Sequence, residues 1–395
     1  MKRLPPFFLM QNVIQDYAWG STTSINQLFN IPNPDNKPQA EIWMGAHPNG
    51  CSHIELDGQL TRLDDVINQD KSAILGDQTT QTFNELPYLF KVLAAAQALS
   101  IQVHPSKKAS EIGFDKENKA GIDIKAANRN YKDPNHKPEL VYALTTYQAM
   151  NGFRDYPAII KPFEKIGIEV LQQDVAALKA NQTPEGLSAF FEAILSLEGD
   201  RKTSALNALM AHVEKNTQCD TAALILELAE QYPGDVGLFA PLMLHVITLQ
   251  PGEAMFLYAC TPHAYIKGTG LEIMANSDNV LRAGLTPKYI DVPELVANTL
   301  CEPKPSADLL LAPIVKDNAK HYPIPVDDFK FSVYHGDSNI TCESAEIIFA
   351  IDQDVTLHHQ SGNMLCITKG QSAFIPLSTQ QYQVESSGTF ARAYN

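Results

Sequence analysis

LMLHVITLQPGEAMFLYACTPHAYIKGTGLEIMA, residues 242–275, sets β-branched and aromatic residues in short runs broken at Pro251-Gly252. Runs of this kind bounded by turn residues form strands. The stretch directly follows a block of different texture. Between about residues 153 and 239, the segments EGLSAFFEAILSLEG, RKTSALNALMAHVEKN and DTAALILELAEQY repeat apolar side chains every three or four positions and are rich in Ala and Leu, which predicts about four helices. Residues 1–152 read as short strands, with turns at PNPDNKP and HPNG and a helical patch at LTRLDDVINQ. The helices therefore interrupt a β domain that resumes near residue 240.

Three domains are expected: a discontinuous β domain over 1–152 and 240–320, a helical insertion over 153–239, and a C-terminal β domain over 321–395. The last is entered through a proline-bearing connection, CEPKPSADLLLAPIVKDNAKHYPIP, and shows alternating strands at FKFSVYHG, AEIIFAID and NMLCITKGQSAFIP. The fold class is mainly β with a helical insertion. A faint repeat relates the two β segments: Gly252, Phe256, Thr261 and Gly270 match Gly370, Phe374, Thr379 and Gly388 at one offset without gaps. That register sets His263 opposite Gln381, so the second segment is expected to lack the histidine of the first and to hold no metal.

With 44% hydrophobic residues among 395, the chain can bury substantial cores, and its 25 prolines and 21 glycines imply many turns. A formal charge of −15 sets its field against nucleic acids and anionic membrane surfaces. A small anionic substrate then needs a local cluster of Lys and Arg. The six cysteines, Cys51, Cys219, Cys260, Cys301, Cys342 and Cys366, are scattered without a CxxC pair, as in a reducing compartment. The start MKRLPPFFLMQNVIQ is basic, but its apolar run is brief and holds two prolines, which speaks against a signal peptide. No apolar run reaches membrane-spanning length. A cytoplasmic location is expected.

SIQVHP, residues 100–105, carries the chemistry. On a strand Ser100, Gln102 and His104 share one face. Alone, that trio reads as a solvent-facing edge. Three further segments offer partners: Lys137 and Glu139 around the strand of NHKPELVYAL, His263 with Tyr265 and Lys267 in TPHAYIKG, and Arg282 and Lys288 after the polar turn of NSDNVLRAGLTPKYIDV. Gln102, His104, Glu139 and His263 together form a plausible donor set for one divalent ion. Two imidazoles, one carboxylate and a neutral glutamine oxygen suit zinc and leave it a net charge of about +1. His358-His359 is a poorer donor pair, because adjacent strand residues face opposite ways. The same set leaves open a non-haem iron or manganese enzyme.

The segments QDYAWGS, AEIWMGAHP, SIQVHPSK, YKDPNHKPEL, TPHAYIKG and LEIMANSDNVLRAGLTPKYIDV, in order from about residue 16 to 292, resemble type I mannose-6-phosphate isomerases. The resemblance implies a cupin-like double barrel of the jelly-roll class with a helical insertion. It implies one zinc per chain held by Gln102, His104, Glu139 and His263, with Arg282 essential to catalysis. The implied reaction interconverts mannose 6-phosphate and fructose 6-phosphate through an enediolate, moving a proton between C1 and C2. A phosphosugar is then the partner of a chain expected to be a monomer, with a place in carbohydrate metabolism and GDP-mannose biosynthesis.

Such a site must stabilise the enediolate, position a base and exclude water. Ser100, Lys91 and Lys137 are assigned to phosphate or sugar hydroxyls, with Tyr265 and Lys288 beside the substrate, and Arg282 to developing negative charge. Candidates for the base are Glu272, Asp278, His136 and a hydroxide held by the zinc. Tyr17, Trp19 and Trp43 are expected to pack in the core rather than stack on sugar. A regulatory module that binds sugar phosphates without turnover is the non-enzymatic alternative.

Overall fold

The computed structural model describes residues 4–395; the basic start, Met1–Arg3, lies outside them. Strand His263–Ala275 organises the catalytic half. Its first half pairs antiparallel with Tyr147–Phe153, and its second half runs between Tyr88–Ala95 and Glu139–Ala143. The change of partner falls at Gly268, whose φ of +126° is open to glycine and closed to most other residues. One long strand thereby turns a corner and serves two parts of the same sheet.

A dry cluster including Leu93, Val141, Tyr147, Met255 and Tyr265 fills the space between these strands. The strand read from SIQVHP is shorter than its alternation suggests, spanning only Gln102–Val103. It is wedged between two partners, since Gln102 lies opposite both His263 and Arg282. That short ladder gathers three of the singled-out side chains.

Five helices of nine residues or more occupy the insertion, one more than the apolar spacing predicts. Two helices lie outside the segments quoted above, Tyr156–Ile166 and Gln172–Ala180, and the first carries Pro157 in its first turn and Pro162 inside. Proline is tolerated at the first position but reads as a break in the interior. Phe163, Phe190, Phe191 and Phe239 lock the insertion into one core with Phe153 and Leu281 of the β unit.

The C-terminal half is a nine-stranded sheet facing a four-stranded one. The larger sheet does not respect chain order: Phe8–Gln11 pairs with Ser372–Ile375 on one side and His53–Leu56 on the other. Within the prolyl connection, Ile314–Lys316 and Ala319–Tyr322 form a hairpin on its edge. Phe90, Tyr142, Phe331 and Phe349 lie in a core shared by the two halves.

The two β halves can be compared through their ladders. Leu257 lies opposite Glu139 as Ile375 lies opposite Glu346, so the register read from the sequence holds at Gly252/Gly370 and Phe256/Phe374. It slips by two at Gly270, which pairs with Ala143, whereas the matching Ala350 pairs with Phe390 rather than Gly388. The inward residue at the second strand start is Tyr382; Gln381, expected opposite His263, points outward. The positive-φ turn at Gln380 is two residues before Tyr382, while that at Cys260 is three before His263. One residue fewer between turn and strand changes which side chain faces in.

Candidate metal centre and active site

His104, Glu139 and His263 are all buried, and one donor atom from each lies within 4.8 Å of the others. Their hydrogen bonds fix what the donors are. His104 Nδ1 is 2.7 Å from the Asn279 carbonyl oxygen and His263 Nδ1 is 2.9 Å from that of Thr261, so both rings carry their proton on Nδ1 and donate it. Each Nε2 then presents a lone pair toward Glu139, at 3.2 Å for His104 and 3.5 Å for His263.

Burial opposes the alternative of a charged imidazolium, pushing the His104 pKa down to about 4. His104 Nε2 consequently has no hydrogen-bond partner. Two imidazole lone pairs and a carboxylate facing one another cannot satisfy each other; a shared cation satisfies all three. Tyr265 completes the arrangement by donating its hydroxyl to Glu139 Oε2 at 2.6 Å. Gln102 sits beside them with its Nε2 3.4 Å from Ser100 Oγ, which leaves the amide oxygen free.

Gln102, Glu139, His263 and Tyr265 of this cluster line a cavity of about 630 Å³ bounded also by Ser100, Lys91, Lys137, Glu272, Asp278, Arg282 and Lys288, with His104 buried behind them. Lys91 is buried between carboxylates, 2.9 Å from Glu272 and 3.5 Å from Glu41, and lies over the Trp43 ring. Burial alone would lower its pKa, but Glu272 and Glu41 outweigh that and hold it above the ordinary lysine range. Glu272 is pushed up, chiefly by burial, with Lys91 opposing. Lys137 reaches Glu139 Oε1 at 3.2 Å. For Glu139, burial would raise the pKa, and Lys137 with His104 holds it well below the usual carboxylate range instead.

Arg282 and Lys288 differ from these lysines: among the described residues neither has a carboxylate partner. Burial lowers both pKa values, and Arg282 adds to the effect on Lys288. They are the cations of the cavity with charge to spare for an anion. Asp278 is partly exposed on the same wall, accepting from Asn49 Nδ2 at 2.8 Å and lying 3.4 Å from His47 Nε2.

Two expectations need correction. His136 does not line the cavity; its Nε2 is 3.0 Å from Asp328 of the C-terminal half. Tyr17 is not a core residue: it is exposed and stacks at the cavity edge, ring centroids 5.7 Å apart, on Trp19, which is itself partly buried against the core. Trp43 is buried as expected, yet its ring lines the cavity wall. Glu41 and His47 escaped the sequence reading. Both belong to the AEIWMGAHP segment, where a carboxylate on a strand of uniformly buried residues is the signal that marks Glu41.

Sheets with a helical insertion and a buried His-Glu-His floor define a metal-dependent enzyme of the cupin type. The catalytic-domain model of type I phosphomannose isomerase matches residues 7–156, the model of its helical insertion domain matches 165–244, and that of the mannose-6-phosphate isomerase cupin domain matches 318–395. The mannose-6-phosphate isomerase of Escherichia coli is 48% identical over 97% of this chain and 98% of its own length. That of Homo sapiens is 35% identical over 94% and 92%. A zinc-bound crystal structure of mannose 6-phosphate isomerase superimposes with a TM-score of 0.94 at 47% identity, covering 99% of this chain and all of the other. A mutant of the Salmonella typhimurium phosphomannose isomerase gives 0.95 at the same identity, again over 99% of this chain and all of that one.

The chain belongs to the type I phosphomannose isomerase family. It is an aldose–ketose isomerase with zinc as its cofactor, and the iron or manganese enzyme and the non-catalytic sugar-phosphate module are not favoured.

Proposed function

We propose that the cavity above His104, Glu139 and His263 interconverts mannose 6-phosphate and fructose 6-phosphate, with Gln102 as the fourth, neutral zinc ligand. The observation that carries this reading is the convergence of His104, Glu139 and His263 donors, with His104 Nε2 left without a hydrogen bond, beside a cavity whose Arg282 and Lys288 have no carboxylate partner among the described residues. Zinc bound there supplies Lewis-acid polarisation of a substrate oxygen without redox chemistry.

The remaining roles fall to the chain's own groups. Arg282 and Lys288, with the Ser100 hydroxyl, receive anionic oxygens of the substrate; Arg282 also faces the charge that develops when the proton leaves carbon. Among the cavity carboxylates, Glu139 belongs to the metal floor, and Glu41 and Glu272 share Lys91. Asp278 is the one without a lysine or arginine partner, and its contacts with Asn49 and His47 hold it toward the cavity. We assign it the transfer of the proton between C1 and C2. Lys91 keeps the buried Glu272 charge compensated, and Lys137 does the same beside Glu139.

The catalytic unit is assigned to residues 1–152 and 240–320, the insertion to 153–239 and the C-terminal unit to 321–395, with Phe8–Gln11, His53–Leu56 and Ile314–Lys316 lent by the first to the sheet of the last. A monomer is proposed. No helix among the described residues is long and apolar enough to cross a membrane, and the six cysteines are unpaired, which supports a reducing, cytoplasmic setting. The mannose 6-phosphate formed there is placed upstream of GDP-mannose biosynthesis.

The test is turnover of mannose 6-phosphate before chelation, after it, and after zinc add-back. Chelation should abolish activity and zinc restore it; chelator-insensitive turnover would refute the reading. Asp278→Asn should slow exchange of the C2 proton with solvent by about 100-fold or more, measured by NMR in deuterated buffer. Unchanged exchange there, with slowed exchange in Glu272→Gln, would move the base to Glu272.

A further inference from the structure

The C-terminal half retains the carboxylate position but not the chemistry. Glu346 stands in its ladder where Glu139 stands in the first, and Arg392 lies 2.6 Å from it, with Tyr382 donating a hydrogen bond on the other side. A guanidinium occupies the role of a cation, and the interior is closed. The outer face of the four-stranded sheet above this pair is a different matter.

On strands Ser338–Thr341 and Gln381–Glu385, Asn339 lies directly opposite Gln383 and Thr341 opposite Gln381, all four exposed on one face, while Ile340, Tyr382 and Val384 point into the core. With Gln360 they line a hollow of about 320 Å³ that continues into a second of about 640 Å³. Thr341, Gln360 and Gln381 belong to both. Among the described residues neither lining contains an Asp, Glu, Lys or Arg, in a chain with 75 such residues (30 basic and 45 acidic). The histidines at the edge are committed elsewhere, His358 to Glu385 at 3.1 Å and His359 to Ser361 and the Thr379 carbonyl.

The carboxamides have no such commitments. Among the described residues Asn339, Gln360, Gln381 and Gln383 have no side-chain hydrogen-bond partner, so a row of donors and acceptors faces the hollow. Between the two hollows Gln380 holds φ 65° and ψ −59°, a strained tight turn for a residue with a side chain, pinned by a hydrogen bond from Cys342 N to its carbonyl. Strain kept in a non-glycine residue marks places where position matters more than stability.

We propose that this face binds a neutral polyhydroxylated ligand, an unphosphorylated hexose or short oligosaccharide, at a site separate from the catalytic cavity. Paired carboxamides match vicinal hydroxyls, each of which donates and accepts. A phosphate ester is unsuited, because its charge would find no Lys or Arg among the described lining residues and the protein's own field repels it. The ligand is therefore distinct from the substrate. With hydrogen bonds as the main attraction, affinity is on the order of millimolar.

The experiment is saturation-transfer NMR on the zinc-loaded full chain, with methyl α-mannoside and a linear mannotriose as probes and the catalytic cavity filled by saturating mannose 6-phosphate. Signals from the neutral sugars should persist under saturation. They should weaken about tenfold in Gln381→Ala/Gln383→Ala, the loss of two neutral hydrogen bonds, with kcat/KM unchanged. Asn339→Ala/Thr341→Val, altered on the neighbouring strand, should do the same and guards against a folding defect in the first variant. Signals that vanish when the catalytic cavity is filled, or that survive both variants, would overturn the proposal. Tighter binding of the trisaccharide than of the monosaccharide places the ligand along the whole trough.

Discussion

Glu139 is asked to face two imidazoles and a lysine at once, and its neighbours show how the chain makes that tolerable. Backbone carbonyls of Asn279 and Thr261 take the outer protons of the rings, and the Tyr265 hydroxyl and Lys137 ammonium take the remaining carboxylate lone pairs. Gln102 adds a ligand without adding charge. In Gln102→Glu a second carboxylate would cut the net charge of the site from about +1 to about zero, so zinc should be kept while kcat falls at least about tenfold. Metal analysis beside steady-state kinetics checks this; loss of zinc with a normal specific activity per bound metal would contradict it. At this scale the sequence was informative where donors sit two apart on a strand, as in Ser100, Gln102 and His104. It was mute where a side chain arrives from elsewhere: His136 shares a segment with Lys137 and Glu139 yet turns to Asp328, a partner 192 positions along the chain.

Strand His263–Ala275 shows what one element must do for the site to exist. His263 at its start and Glu272 near its end both line one cavity, although a straight strand would carry them far apart. Gly268 makes the bend. A Cβ there would sit 2.6 Å from the Thr146 carbonyl oxygen and 2.8 Å from Tyr147 Cα, at a φ that L side chains rarely adopt. Gly268→Ala should cost about 3 kcal/mol of stability, read as a lower midpoint in chemical denaturation. It should also lower zinc affinity, because His263 is held by the half of the strand on the far side of the bend. The alternation of TPHAYIKGTGLEIMA announced the strand, and the bend was hidden, since Gly268 and Gly270 look alike in sequence while only the first has a positive φ. The helix Tyr156–Ile166 was hidden for the opposite reason, its prolines suppressing a pattern that tertiary packing of Ile159, Ile160 and Phe163 restores.

The molecule as a whole cannot be divided where its sequence texture changes. Phe8–Gln11 completes the sheet of the C-terminal half, Tyr88 donates through its hydroxyl to the carbonyls of Ala345 and Ala393, and Phe90 packs on Phe331 and Phe349. Sequence reading found the β, α, β order because hydrophobic period is a local property. It missed the shared sheet because strand pairing between residues more than 300 apart leaves no local trace. Within that sheet the Glu346–Arg392 pair is buried, so removing one partner strands a charge. Arg392→Met should destabilise the protein by about 3–5 kcal/mol, and adding Glu346→Leu should recover most of that loss, since a buried pair exchanged for apolar groups is near neutral. The shared core decides what happens to catalysis. Tyr88–Ala95 carries Phe90 into that core and Lys91 into the cavity, on successive positions of one strand. Loosening the C-terminal half should therefore reach Lys91 and Glu272, and Arg392→Met should lose activity in the same thermal transition in which it loses structure, followed by circular dichroism and residual turnover in parallel. Activity that outlasts the C-terminal transition would show that the two halves are coupled in packing but independent in function.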